Sequence, residues 1–273
     1  MSDPLDGDWL RTSVGHSTPD SIVVRGRNLA DDLMGHMSFA DVAFLLASGR
    51  EPSEGESKLF SAVLVALADH GLTPTALAAR FTYTGAPEAL QGALAAGLLG
   101  AGTVFLGPVE DTARFLQEIL AESPADTDDP TVDLEDLAAE AVEAAVVAGR
   151  KIPGLGHPIH KETDPRTPRI YQLADETGLA GPHLRLLEHV AAAHRRATGK
   201  ALPINGAGAA GAALADLGFP PFLTRGFALL ARAAGLIGHL AEEAERPLGM
   251  RLWKEVDRRA AGSADKGSDS SGS

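Results

Sequence analysis

Along most of the chain apolar side chains return every three or four positions, the period of a helix with one face in a core. In the run SEGESKLFSAVLVALADHG that begins at Ser53, Leu59, Phe60, Val63, Leu64 and Leu67 share such a face. Ser53 is placed to cap it, because a serine hydroxyl accepts one of the first-turn N–H groups that has no partner within the helix. By the same logic Ser38 caps a helix through Ser48, and Gly49 stops it. Thr73-Pro74 opens another, since proline's fixed φ and missing N–H suit a first turn. Residues 110–122 read as amphipathic, and a further helix runs from a cap at Asp133 to Gly149. Pro182 stands in the first turn of a helix that ends at Gly199. Residues 204–217 are Gly/Ala-rich and helical in their second half. Residues 86–100 are apolar almost all round, which predicts a buried helix, and 224–244, the longest clean helix, is again close to apolar all round. SIVVRGR, 21–27, reads as a short strand or an extended arm, and residues 1–20 as irregular. SPADTDDP, 123–130, is a loop, and SADKGSDSSGS, 263–273, has the composition of a disordered tail.

Composition sharpens this picture at a few points. A chain of 273 residues with 44% hydrophobic and 22% charged side chains can bury a real core. Aromatic residues are only 5% and glycines number 30, which disfavours a sheet protein and favours helices packed closely through small residues. The net charge of −13 argues against a nucleic-acid partner and lends no support to binding an anionic membrane. With no cysteine there is no disulfide, thiolate nucleophile or Cys-ligated zinc. MSDPLDGDWL lacks the basic-then-apolar order of a signal peptide, and no apolar run approaches the roughly 18 residues of a membrane span, so the expectation is a cytoplasmic protein.

The stretch GLGHPIHKETDPRTPRIYQLA, 154–174, interrupts the Ala/Leu-rich background. In Gly-Leu-Gly-His-Pro small residues let the backbone approach a ligand, and His157 can donate to a carboxylate or carbonyl oxygen or act as a general acid. An exposed loop histidine is the plain alternative. Asp164-Pro165-Arg166 can fix a turn that aims a guanidinium at an anion, or form a surface salt link. His70 follows Asp69 at a helix end, where a cation also suits the helix dipole. Arg232 lies in LLARAAGLIGHLAEE, a helix too apolar to leave it exposed, so it needs an internal carboxylate or an anionic ligand. Arg246 sits where that helix ends. No metal site is expected: His157 and His160 lack a third ligand nearby in sequence, and HExxH is absent. Residues 206–211 match GxGxxG in letters only, with no preceding strand, and no nucleophile elbow is present.

GLGHPIHKETDPR resembles the glycine-histidine and Asp-Pro-Arg signature of the citrate synthase superfamily. ALADHG, 66–71, resembles the segment that supplies the family's first oxaloacetate-binding histidine. SFADVAFLLASGREPS, 38–53, is similar to its early helix and turn, and LARAAGLIGHLAEEAERPLG, 230–249, to its C-terminal arginine helix. The resemblance implies an all-α fold. A large helical domain would comprise 21–132 and 201–260, a smaller closing domain 133–200, and a disordered tail 261–273. It also implies a homodimer that shares its active sites.

Carried over by position, the resemblance makes His157 the residue that hydrogen-bonds the substrate ketone or alkoxide. The loop of the family's other catalytic histidine matches GTVFLGPVED, with Phe105 at that position, as in the citryl-CoA-cleaving branch that includes the C-terminal module of ATP-citrate lyase. The catalytic aspartate's place is taken by Asn205, a poor base and a departure from both branches. His70, Arg166 and Arg232 match the oxaloacetate-binding set, and Arg246 an arginine that crosses from the partner subunit. For a coenzyme A thioester the implied contacts are backbone from Lys151 to Pro158, Gly154 and Gly156 included, with Lys161 or Arg169 for phosphate. The expectation is a carbon–carbon lyase or acyltransferase acting on a small di- or tricarboxylate. The alternatives are a different hydroxy-acid substrate without CoA, or a non-catalytic dicarboxylate-binding protein.

Overall fold

The computed structural model describes residues 12–122 and 134–268, with backbone alone for 262–268. A small antiparallel sheet comes first: β1 (Gly15–Ser17), β2 (Ile22–Val24) and β3 (Arg27–Asn28), in that order. A single π-turn, Leu29–Leu33, follows. The elements that follow among the described residues are all α-helices, joined by loops: α1 (Phe39–Ser48), α2 (Glu54–Ala68), α3 (Pro74–Gly85), α4 (Leu90–Leu99), α5 (Gly107–Glu122), α6 (Leu134–Val147), α7 (Arg166–Thr177), α8 (Pro182–Thr198), α9 (Gly206–Asp216), α10 (Pro221–Glu245) and α11 (Gly249–Ser268). The largely helical chain that the composition favours, and the all-α fold that the resemblance implies, are what is observed, with one small sheet added at the start.

Local chemistry sets the helix ends. Ser38 Oγ accepts from the Asp41 N–H at 3.1 Å, while Asp41 reaches back to the Ser38 N–H at 3.4 Å. Ser53 and Glu56 repeat this reciprocal cap at 3.3 and 2.8 Å. Arg50 grips the same Glu56 carboxylate and, with the Ser53 N–H, draws its pKa down to about 2. Gly49 and Gly199 stop their helices in the left-handed conformation.

The main core runs without a break from α1, α2 and α5 through α6, α7 and α8 to α9 and α10. At its centre Phe44, Phe60, Phe219 and Phe227 meet mostly edge-to-face, with ring centroids 4.7 to 5.9 Å apart. A smaller cluster joins α3, α4 and α10 through Ala76, Ala79, Ala93, Leu236 and Leu240.

Several expectations change. The helix predicted over 86–100 begins at Leu90, and it is not buried all round: only Ala93 and Gly97 are, while Leu99 is 86% exposed. An all-apolar sequence does not say whether the same chain covers every face. The irregular N-terminal stretch contains β1, because residues 15–17 gain a partner in β2. α10 begins at Pro221 rather than 224. The helix of α11 continues to Ser268, into the stretch read as tail. The loop expected at 123–130, the cap at Asp133 and the end of the tail at 269–273 lie outside the described residues.

Candidate active site

The Gly-His loop and the entry to α9 form one unit. Leu155 bridges Ile204 in antiparallel fashion, the Gly156 N–H donates to the Pro203 carbonyl at 2.7 Å, and the Asn205 N–H donates to the Gly154 carbonyl at 2.9 Å. Gly154 has φ +82°, and it crosses α9 at Gly208 so closely that a β-carbon on Gly208 would lie 2.6 Å from the Gly154 α-carbon. The glycines that look like a dinucleotide motif in sequence therefore serve close backbone crossing. Asp164, fully buried, ties in the start of α7. It accepts from the Gly206 N–H at 2.7 Å, from the Arg166 N–H at 3.1 Å, and from the Arg166 guanidinium at 2.9 and 2.7 Å. These bonds outweigh the cost of burial and hold the carboxyl far below the usual carboxylate range.

This unit forms one wall of a cavity of about 950 Å³. One end is rich in donors: His70, His157, Arg166 and Arg232. The rest is largely apolar, with Val104, Phe105, Leu106, Ile152, Leu155 and Ile159. His157 Nδ1 accepts two backbone N–H groups, those of Ile159 at 3.1 Å and His160 at 3.0 Å. With Nδ1 fixed as acceptor, the neutral ring carries its proton on Nε2 and is a donor there. Burial, with His160, His70 and Arg166 close by, lowers its pKa against the opposing charge of Asp164. His160 stacks on His157 with centroids 4.5 Å apart, and His70 lies 5.2 Å from His157. Sequence spacing gave His157 and His160 no third partner, but the fold supplies His70, with ligand atoms of all three within 4.8 Å. Protonation of His157 at Nε2 makes this cluster a better donor to an anion than a set of metal ligands.

Arg232 is 5% exposed and has no carboxylate partner among the described residues. It donates at 3.3–3.4 Å to Thr73, Thr75 and the Leu67 carbonyl, and its Nε has no acceptor. Burial pushes its pKa down, while the Asp69 charge works the other way. Among the described residues the internal ion pair left open by the sequence is not formed, so a buried guanidinium lines the cavity without a directly paired carboxylate. Arg166 is different: Asp164 takes one side of its fork, and Nη1 donates to the Ala66 carbonyl at 3.3 Å. Asn205 is buried at the N-terminus of α9, its Oδ1 accepting from the Gly208 N–H at 2.8 Å and its Nδ2 donating to the Gly156 carbonyl at 2.7 Å.

Residues 37–254 match the family model for the citrate synthase C-terminal domain. The chain belongs to the citrate synthase family. Citryl-CoA lyase from Hydrogenobacter thermophilus superposes with a TM-score of 0.76 at 34% identity, covering 85% of this chain and 86% of that one. A Methanosaeta concilii ATP citrate lyase variant in complex with (3S)-citryl-CoA has a TM-score of 0.71 at 24% identity, over 87% of this chain and 39% of the other, a likeness of fold. The probable ATP-citrate synthase of Dictyostelium discoideum is 26% identical over 247 residues, 85% of this chain but only 38% of its own length. The citrate synthase of Haloferax volcanii is 26% identical over 217 residues, 79% of this chain and 53% of that protein. This chain thus spans well under two thirds of the length of these curated relatives.

Of the residues carried over from the family, the fold brings His70, Phe105, Lys151, Gly154, Gly156, His157, Arg166, Asn205 and Arg232 to the one cavity. Lys161 and Arg169 do not line it: Lys161 donates to the His157 carbonyl at 3.1 Å, and Arg169 faces Glu176 at 3.5 Å. Arg246 is 78% exposed on its side chain, pairs with Glu242 one turn away, and does not line this chain's own cavity. His70 does not end a helix; α2 stops at Ala68 and His70 lies in the loop that follows.

A supporting network was missed. Arg80 on α3, 2% exposed, donates to Glu243 at 2.9 Å, to Glu242, and to Nδ1 of His239 at 3.0 Å. Because arginine only donates, His239 carries its proton on Nε2, which donates to Asp69 at 2.9 Å. Asp69 in turn accepts from the Gly71 N–H at 2.8 Å, which fixes the loop holding His70. The available signal was an arginine on the Ala76/Ala79 face of α3.

Proposed function

We propose that the protein is a citryl-CoA lyase-like enzyme, cleaving or forming a carbon–carbon bond between a keto-acid and an acyl-CoA. The observation that carries this reading is Arg232, a buried guanidinium with no carboxylate partner among the described residues, at the donor-rich end of the cavity. Leaving such a cation uncompensated is costly, and a ligand carboxylate offsets that cost. His70 and the N–H groups of Arg166 that Asp164 and Ala66 leave over add donors, which suits the oxaloacetate half of a substrate. The apolar remainder of the cavity suits the thioester arm, with Lys151 at its rim. His157 Nε2–H would donate to the substrate's carbinol or ketone oxygen, a bond that strengthens as negative charge gathers there. Under this reading residues 133–200 form the small domain that closes on substrate, and the protein is a homodimer in which Arg246 reaches the partner's cavity.

One observation favours a second reading, a dicarboxylate-binding protein without turnover: both ends of the Asn205 amide are engaged by backbone, so position 205 supplies no base. Calorimetry with oxaloacetate and citrate, together with a citryl-CoA cleavage assay, separates the two. Arg232→Ala is expected to weaken dicarboxylate binding by roughly 2–4 kcal/mol, as when one partner leaves a desolvated ionic contact. A folded wild-type protein that binds no di- or tricarboxylate would end both readings.

A further inference from the structure

Cleavage of a tertiary hydroxy-acyl-CoA needs a group that takes the hydroxyl proton and a group that returns a proton to carbon. The cavity contains few candidates. The guanidinium groups of Arg166 and Arg232 are donors only and accept no proton. Asn205 is an amide with its Oδ1 and Nδ2 both bonded to backbone. His157 already holds its proton on Nε2, because Nδ1 accepts from two amides. His70 packs beside it at the anion-binding end. Among the described residues one carboxylate lines the cavity, that of Asp111 in the second turn of α5.

Asp111 is half-buried, and no described residue forms a hydrogen bond or ion pair with it. Its neighbour Glu110 shows the contrast, being held by Arg114 and by Arg225 at 2.6 Å. The Asp111 carboxylate lies against the turn that follows Phe105: a β-carbon on Gly107 would stand 3.5 Å from Asp111 Oδ2, and 3.2 Å from Nη2 of Arg225, whose ion pair is with Glu110. Pro108, one turn before it on α5, lines the same cavity. A carboxylate without a hydrogen-bond or ion-pair partner among the described residues, at the wall of an anion-binding cavity, works against binding, since it repels an anionic ligand there. A role in proton transfer accounts for its place.

We infer that Asp111 is the catalytic acid–base of this site, an inference that rests on the lyase-like reading above. In the cleavage direction its carboxylate takes the proton of the substrate hydroxyl. The bond between the carbinol carbon and the thioester CH2 breaks, and its electron pair forms the thioester enolate. The carbinol oxygen becomes the ketone of oxaloacetate, with His157 Nε2–H donating to it. Asp111 then gives its proton to the enolate carbon, which becomes the methyl group of acetyl-CoA. The step is redox-neutral and needs no further reactant.

The test uses the full-length protein, with citryl-CoA cleavage and exchange of acetyl-CoA methyl protons into D2O in the presence of oxaloacetate. Asp111→Asn is expected to lower both rates by about 10²-fold or more, the low end of what general acid–base catalysis supplies. Its oxaloacetate Kd should be unchanged or tighter, because a repelling charge is gone, and its thermal midpoint should match wild type. Asp111→Glu should retain a measurable share of turnover. Asp111→Asn turning over within a few-fold of wild type would overturn the inference. So would loss of oxaloacetate binding alongside turnover, which marks a structural role. Wild-type protein that binds oxaloacetate but neither cleaves citryl-CoA nor exchanges methyl protons would remove the lyase-like reading itself, and Asp111's role with it.

Discussion

The carboxamide of Asn205 is engaged at both ends, accepting from Gly208 at 2.8 Å and donating to the Gly156 carbonyl at 2.7 Å. Aspartate at this position would keep the cap on α9, where the helix dipole favours an anion by about 0.3–1 kcal/mol. It would also set a carboxylate oxygen against the part-buried Gly156 carbonyl, leaving that acceptor unsatisfied at roughly 1–3 kcal/mol, the larger effect. The folded protein relieves this by holding a proton on the new carboxyl, which raises its pKa above the unfolded value. The sign follows: the unfolded chain loses that proton first, so Asn205→Asp matches wild type below about pH 4 and falls behind as pH rises. Urea midpoints of both proteins from pH 4 to 8 would show the gap widening, and a gap constant in pH would refute the account. Position 205 was legible in the sequence as a departure from the family's aspartate. That its amide spans two backbone segments was not, because Gly156 lies 49 residues away.

Helix ends were legible because their causes are local. Ser38, Ser53, Thr73-Pro74, Pro182 and Gly199 act within a turn of themselves, and the structure places each at the boundary it marks. The Arg80–His239–Asp69 network was not legible, since its bonds span 159 to 170 residues. The burial of α4 was misread for a related reason: apolar spacing reports which faces avoid water, not which neighbour covers them. How small residues set helix contacts can be tested with one substitution at two sites. Gly208→Ala puts a β-carbon 2.6 Å from the Gly154 α-carbon and 2.7 Å from its carbonyl oxygen, both backbone atoms that cannot rotate aside. It should destabilise by roughly 1–3 kcal/mol and weaken oxaloacetate binding, since the Gly-His loop must move. Gly226→Ala, an exposed site within α10 with nothing within 4 Å, should stabilise by about 0.5–1 kcal/mol. Equal effects at the two sites would show that the crossing of α9 and the loop is looser than described.

At the scale of the whole molecule, the described surface leaves large apolar side chains in water: Leu90 and Leu99 on α4, Ile237 on α10, and Trp253 and Val256 on α11. None of these helices is long and apolar enough to cross a membrane. A second copy of the chain is the proposed cover, and sedimentation at micromolar concentration should show one species near twice 28.3 kDa. Arg246 supplies a sharper test, because its place depends on the second copy. Arg232→Ala removes the clamp within a subunit, and Arg246→Ala removes the group proposed to arrive from outside. Each variant alone should bind oxaloacetate poorly. In a mixed dimer, the subunit bearing Arg246→Ala keeps its own Arg232 and receives Arg246 from its partner, so one site is whole and the other lacks both. Unfolding and refolding the two variants together in equal amounts should therefore restore tight sites to about a quarter of all subunits, given random pairing in a closed dimer. If Arg246 served its own subunit instead, neither site of the mixed dimer would be whole. No recovery, with mixed dimers demonstrated by differential tagging, would rule out the shared site.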